Sequence, residues 1–227
     1  MKKQNKQTKK SLKGLWKAVC FLGTFCLWTV AVKRIDVQPI GPLESEVGFS
    51  TLNGFFHDLT GVNWLLYGLT DWLSIIPIAL VLGFAILGLR QWMRRKKLGL
   101  VDGDILALGG FYALVLLAYL LFEIWEINYR PVLINGVLET SYPSSTTMLM
   151  LCVMPTSAMQ LHSRIKNKTA RQWGLVILLC FTAFMVIGRI LSGVQWITDI
   201  VGGALLSGAL MEIYRWFLYF NKSTNCD

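Results

Sequence analysis

Histidine is scarce in this chain: His57 and His162 are the two copies among 227 residues. Any chemistry that needs an imidazole as nucleophile or general acid must use one of them. Charge is thin as well, at 15% of residues, while 54% are hydrophobic; a soluble core of this length would not need so much apolar surface. The five cysteines (Cys20, Cys26, Cys152, Cys180 and Cys226) include no CxxC pair, and four of them lie in apolar runs. Neither a disulfide framework nor a zinc site is indicated. Acidic residues are outnumbered, 13 against 22 lysines and arginines, for a net charge of +9. The cations sit in short runs beside apolar segments, the pattern of membrane orientation, so nucleic acid is not expected as a partner. No internal repeat is present, and no low-complexity tract beyond the lysine-rich amino terminus.

What the chain does have is long apolar stretches, nine tryptophans and a mean hydropathy of +0.52. A spanning helix needs about 20 mostly apolar residues. Segments near 15–32, 72–93, 104–127, 145–161, 173–191 and 198–220 satisfy this, predicting an all-α integral membrane protein, a bundle of six transmembrane helices. The fourth contains Pro155 and several hydroxyl residues, which points to a kink or a place inside the bundle. Basic residues collect before the first segment (Lys2 to Lys17), after the second (Arg94 to Lys97) and after the fourth (Arg164 to Arg171). This places both termini in the cytoplasm. The first helix lacks a small-x-small cleavage site and is expected to stay uncleaved. The layout is then a basic cytoplasmic tail over 1–14, a membrane domain over 15–220 and a short cytoplasmic tail over 221–227. Between the first two spans, residues 35–71 are rich in aromatics and suit an amphipathic segment in the outer interface.

With that topology, three short stretches meet at the extracytoplasmic face: Tyr129-Arg130-Pro131, Tyr142-Pro143-Ser144-Ser145-Thr146-Thr147, and Gly188-Arg189 leading to Gln195 and Asp199. Arg130 and Arg189 offer forked donors to phosphate oxygens. Ser144 and Ser145, at a helix start after Pro143, offer hydroxyls and backbone amides where the dipole favours an anion. Each residue also has a plainer reading. The arginines could snorkel to headgroups, the hydroxyls and Asp199 could cap helices, and Gln195 could be a hydrogen-bonding spacer. Gly203 with Ser207, and Ala204 with Gly208, read as helix packing, and Glu212 with Arg215 as a surface pair.

The order and spacing of these stretches resemble the three-part signature of the type-2 phosphatidic acid phosphatase superfamily, which also includes vanadium haloperoxidases; the six-span layout resembles its membrane lipid-phosphatase branch. The family pattern reads Lys-x6-Arg-Pro, then Pro-Ser-Gly-His, then Ser-Arg-x5-His-x3-Asp, and the match covers roughly residues 123–203. The resemblance implies that Arg130, Ser144, Ser145 and Arg189 bind phosphate and that Asp199 stands where the family orients its nucleophilic histidine. The departures fall on the chemistry. Glu123 occupies the lysine position, Ser145 the glycine, Thr146 the acid histidine, Gly188 the serine and Gln195 the nucleophilic histidine. An amide has no lone pair suited to forming a phosphohistidine-like intermediate, and a threonine hydroxyl cannot protonate a leaving group near neutral pH.

Neither remaining histidine is an obvious replacement. His162 follows the fourth span and lies inside, a membrane thickness from the clamp. His57, in Phe55-Phe56-His57-Asp58, lies in the outer loop and reads first as an interfacial polar residue. The expected function is therefore a lipid-phosphatase-like membrane protein that binds, presents or translocates a phosphorylated lipid, either a phospholipid or a prenyl phosphate, without phosphohistidine chemistry. No cofactor and no metal site are expected. An active lipid-phosphate or prenyl-pyrophosphate phosphatase with a modified mechanism is the alternative, either metal-assisted through Glu123, Glu126 or Asp199, or using His57. A structural protein with a vestigial clamp is a third reading.

Overall fold

The structure, a computed structural model, describes residues 2–224. Eight α-helices follow one another: α1 (Lys2–Arg34), α2 (Ser50–Thr60), α3 (Trp64–Leu73), α4 (Ile75–Arg95), α5 (Gly103–Ile124), α6 (Ser145–Arg164), α7 (Lys168–Leu191) and α8 (Ile197–Thr224). The segment expected to lie in the interface before the second span holds two short helices, α2 and α3, and α3 runs on into α4 as one apolar stretch. The basic amino terminus belongs to α1 from Lys2 onward; of the expected carboxy-terminal tail, residues 221–224 continue α8, and 225–227 lie outside the described residues.

Five stretches are long and apolar enough to cross a membrane: Leu12–Arg34, Trp64–Arg95, Gly103–Ile124, Lys168–Leu191 and Ile197–Tyr219. The fourth expected span coincides with α6, which is 20 residues long but is not among them. The reason is where its side chains go. Thr147, Met150, Cys152, Val153, Met154, Thr156 and Ser157 are all buried, and α4, α5, α7 and α8 pack against the helix. A helix shielded from lipid by its neighbours can carry hydroxyls, provided they find partners. Thr156 Oγ1 does so by donating back to Cys152 O, at 2.7 Å, and accepting from Tyr112 Oη on α5, at 2.9 Å.

The bundle is organised on α8. Of its apolar window 67% is buried, against a third or less in the other four stretches, and α1, α5 and α6 all pack on it. Phe25 of α1, Phe111 and Phe122 of α5, Tyr142, and Leu210 and Tyr214 of α8 form the main core, with Phe25 and Phe122 meeting edge to face at 5.5 Å between centroids. Small residues on α8 permit these close approaches, as expected. A Cβ on Gly203 would stand 2.8 Å from Ser144 O, and one on Gly208 would stand 2.8 Å from the Phe21 ring. Large side chains such as Leu27, Leu65, Ile86, Ile124 and Leu179 point outward, as they must where lipid is the solvent.

At the end of the bundle opposite the motifs, Arg164 pairs with Asp104 at 3.0 Å and Arg95 pairs with Asp102 at 3.1 Å, tying α4, α5 and α6 together. Glu212 and Arg215 pair at 2.8 Å within α8.

Candidate phosphate site

Between α5 and α6 the chain runs out and back as an irregular hairpin. Tyr129 faces Thr140 and Ile134 faces Val137 as isolated antiparallel bridges, and Asn135 and Gly136 turn the chain at φ 51° and 79°. Paired positive φ values make this a type I′ turn, the geometry that Asn-Gly favours. Farther from the turn, Arg130 N donates to Glu139 O at 3.0 Å, and the Glu139 carboxylate lies within 3.1 Å of Arg130 Nε. The next turn of chain, Tyr142-Pro143, lies on α8: a Cβ on Gly202 would stand 2.6 Å from the Tyr142 ring. The Tyr142 hydroxyl meets Thr29 Oγ1 at 2.7 Å, and burial raises its pKa above the usual phenol value.

Ser144 caps α6, its Oγ accepting from Thr147 N at 3.3 Å. The same hydroxyl donates to Gln195 Oε1 at 2.7 Å and lies 2.9 Å from Thr147 Oγ1. It is fully buried. The second and third motif stretches are therefore joined by a hydrogen bond from a serine to the amide that stands at the family's nucleophile position. Ser144 N also donates to Asp199 O at 2.9 Å.

Asp199 is completely buried, with Asn128 Nδ2 donating to Oδ1 at 3.1 Å and Trp196 N donating to Oδ2 at 3.3 Å. The second bond is that of an acidic residue in the first helical turn reaching back to the residue before the helix. Asp199 thus ties the α8 start to the hairpin and makes no bond to Gln195.

A cavity of about 450 Å³ opens above these groups, with Tyr119, Glu123, Glu126, Arg130, Glu139, Ser145 and Gln195 among its walls. Beside it an apolar groove of about 600 Å³ runs along α4, α5 and α6, lined by Ile78, Val81, Val115, Leu116, Leu149 and Val153, with Asp71, Ser145 and Thr146 at its polar end. Tyr119, Ser145 and Met148 line both.

The expected site residues are therefore divided. Glu123, Arg130, Ser145 and Gln195 face the cavity, Thr146 faces the groove, and Ser144 and Asp199 lie buried beneath them. Arg189 is not a wall of either. Its guanidinium is buried, pairs with Asp71 at 2.9 Å and lies 4.9 Å over the Tyr67 ring. Gly188 makes this docking possible, since a Cβ there would stand 2.8 Å from Thr70 of α3.

Asp71, Tyr67 and Glu139 did not emerge from the motif reading, because all three lie outside the three stretches. The Asn135-Gly136 dipeptide signals the hairpin but would set Arg130 opposite Ser141; the Tyr129–Thr140 bridge is two residues out of that register, and that shift is what brings Glu139 to Arg130. His162 is exposed on the last turn of α6, about 25 Å along the helix from Ser145 at 1.5 Å per residue. His57 lies close to Gln195, with which it lines a small cleft, and its ring is 5.5 Å from that of Trp196. It is not a wall of the polar cavity. Among the described residues no three His, Cys, Asp or Glu side chains converge as metal ligands would.

The helix bundle thus gathers an arginine, a capped helix start and a buried acid at one end. Residues 122–223 match the model of the PAP2 superfamily. The fold is also that of a solved membrane protein, the first transmembrane PAP2-type phosphatidylglycerolphosphate phosphatase from Bacillus subtilis: TM-score 0.62 at 18% identity, covering 89% of this chain and 96% of that one. No curated protein sequence matches the chain.

Proposed function

We propose that this protein holds a phosphorylated lipid at the extracytoplasmic side of a cell membrane and presents or translocates it, without cleaving it through a phosphohistidine. The observation that carries this reading is the pairing of a polar cavity holding Arg130, Ser145 and Gln195 with an apolar groove that shares its walls. A polar head and an apolar tail on one molecule need such a pair. The match of residues 122–223 to the PAP2 superfamily supports a lipid phosphate as the ligand class. Gln195 supports loss of the phosphatase step: its carbonyl oxygen already accepts from Ser144, and it has no nucleophilic nitrogen comparable to imidazole. The lysine and arginine clusters support both termini being cytoplasmic, with the cavity on the opposite face.

A second reading, an active phosphatase with a rearranged mechanism, draws on one observation: His57 Nδ1 is buried without a hydrogen-bond partner in the cleft that His57 shares with Gln195. The two readings separate in one preparation. Purified protein in nanodiscs is tested for binding of phosphorylated lipids and for phosphate release from phosphatidic acid, phosphatidylglycerophosphate and prenyl pyrophosphate. Binding lost in Arg130→Gln, with no release from any lipid, supports the proposal. Release abolished by His57→Ala supports the second reading and overturns the first.

A further inference from the structure

Charge in the polar cavity has the opposite sign to that expected of a phosphate seat. Arg130 is the one cation among its lining residues, against the three carboxylates of Glu123, Glu126 and Glu139. Glu139 stands 3.1 Å from Arg130 Nε and offsets it. Glu123 on the last turn of α5 and Glu126 just beyond its end are then a surplus of two negative charges at the rim. Glu126 accepts from the Tyr129 hydroxyl, and that bond raises the Tyr129 pKa, so the neutral phenol shares the carboxylate without cancelling its charge. A phosphate carried alone would meet repulsion from both acids.

The donors for a phosphate are nevertheless present and unspent. Arg130 Nη1 is buried and has no hydrogen-bond partner. Gln195 is 6% exposed and lines the cavity; its oxygen is taken by Ser144, and its amide nitrogen has no bond among the described residues. The cavity therefore offers donors at its floor and acceptors at its rim. Because the carboxylates do not converge as metal ligands would, the complement is an organic cation joined to the phosphate by a short link.

Resting on the phosphorylated-lipid reading above, we infer that the ligand is a zwitterionic phospholipid of the phosphoethanolamine type, its phosphate on Arg130 and Gln195 and its ammonium on Glu123 and Glu126. An ammonium donates three hydrogen bonds and suits a pair of carboxylates. The glutamate at the position where the superfamily pattern has lysine is then a change of ligand: a cation that would bind phosphate is replaced by an anion that binds amine.

The test uses full-length protein in nanodiscs of a neutral, choline-headgroup lipid, with phosphatidylethanolamine and phosphatidic acid of identical chains as competing ligands. The wild type is expected to prefer phosphatidylethanolamine by about tenfold, the effect of roughly one good charged contact. Glu123→Gln with Glu126→Gln brings the ratio near one, Glu123→Lys reverses it, and Arg130→Gln weakens both lipids. Phosphatidic acid bound as well or better by the wild type, still dependent on Arg130, overturns the amine assignment and leaves the phosphorylated-lipid reading standing. Neither lipid bound overturns both. Water-soluble glycerophosphoethanolamine competing as well as the lipid overturns the assignment to a lipid.

Discussion

Arg189 Nη2 and Asp71 Oδ1 are 2.9 Å apart, a bond between the end of α7 and the short helix α3. The pair is asymmetric: the arginine side chain is 2% exposed and the aspartate 60%. The protein has buried the cation and left its counter-ion at the surface of the groove. Tyr67 covers the guanidinium from the other side at 4.9 Å, adding a cation–π contact in a desolvated place. The arginine that the motif order assigns to phosphate is thus occupied by the chain itself. A lipid phosphate arriving at the polar end of the groove would compete with Asp71 for it.

The first prediction follows from that asymmetry. Asp71→Asn leaves a buried guanidinium without its counter-charge, and stability should fall by about 2 kcal/mol, below the full cost of breaking a buried pair because the aspartate is mostly solvated. Arg189→Met combined with Asp71→Asn should recover most of the loss, since no charge is then buried. Thermal unfolding of the three proteins in detergent checks the order. A double variant less stable than Asp71→Asn alone would show that Arg189 is held by something other than this pair.

Two glycines with positive φ separate backbone strain from steric conflict. Gly136 turns the hairpin at φ 79°, and a Cβ there meets open space; Gly193 sits at φ 63°, and its Cβ would stand 1.8 Å from Gly61 O. Gly136→Ala carries only the left-handed strain, about 1 kcal/mol. Gly193→Ala adds a clash with backbone that no rotamer relieves, about 3 kcal/mol in all or loss of the fold. Melting temperatures of the two variants, read side by side, decide the ranking.

How far the sequence reaches is clear from α6 and Arg189. Hydropathy places α4, α5, α7 and α8 to within about five residues and finds the apolar part of α1, though not its basic first turns from Lys2, because a lipid-facing helix must be apolar almost throughout. It is weaker for α6, where neighbouring helices supply the apolar environment and the chain can afford Thr156 and Ser157. The motif order brings Arg130, Ser145, Gln195 and Glu123 to one cavity, since each stretch sits at the same end of a long helix. Side-chain direction is a different matter. Arg189 lies at the right height and is claimed by Asp71, an acid 118 residues earlier in the chain that carries no motif. Likewise Asp199 serves Asn128 and the start of α8 instead of the residue four before it.

That placement bears on any attempt to restore chemistry. Gln195→His puts an imidazole at the cavity wall, where Ser144 Oγ can still bond it, but Asp199 is committed to Asn128 and Trp196 N. Thr146 faces the groove and not the cavity. Gln195→His alone should therefore give no phosphate release. Glu123→Lys, Thr146→His and Gln195→His together should give weak release from phosphatidic acid, orders of magnitude below a competent enzyme because general acid catalysis alone is worth about 10²–10⁴. An assay of inorganic phosphate, with Arg130→Gln added to the triple variant as control, reads both. Robust turnover by the single variant would mean that Asp199 is free to orient an imidazole after all.

At the opposite end of the bundle, acid sensitivity has a specific source. Asp102 lies between α4 and α5 and is held below its ordinary value of 3.8, first by the hydrogen bond from Gln91 and then by Arg95 and Arg164. A carboxylate whose pKa is depressed on folding contributes stability above its unfolded pKa and loses it as pH falls through the folded one. The tie between α4, α5 and α6 should be intact from neutral pH down to about pH 4 and weaken below that. Gln91→Leu removes the largest cause of the depression, so the contribution shrinks and its loss is complete at a higher pH. Thermal unfolding across pH 3–7 should show the variant and the wild type converging at the acid end and separating above it. A separation that persists unchanged at the lowest pH would mean that Gln91 supports the bundle by packing and not through the Asp102 charge.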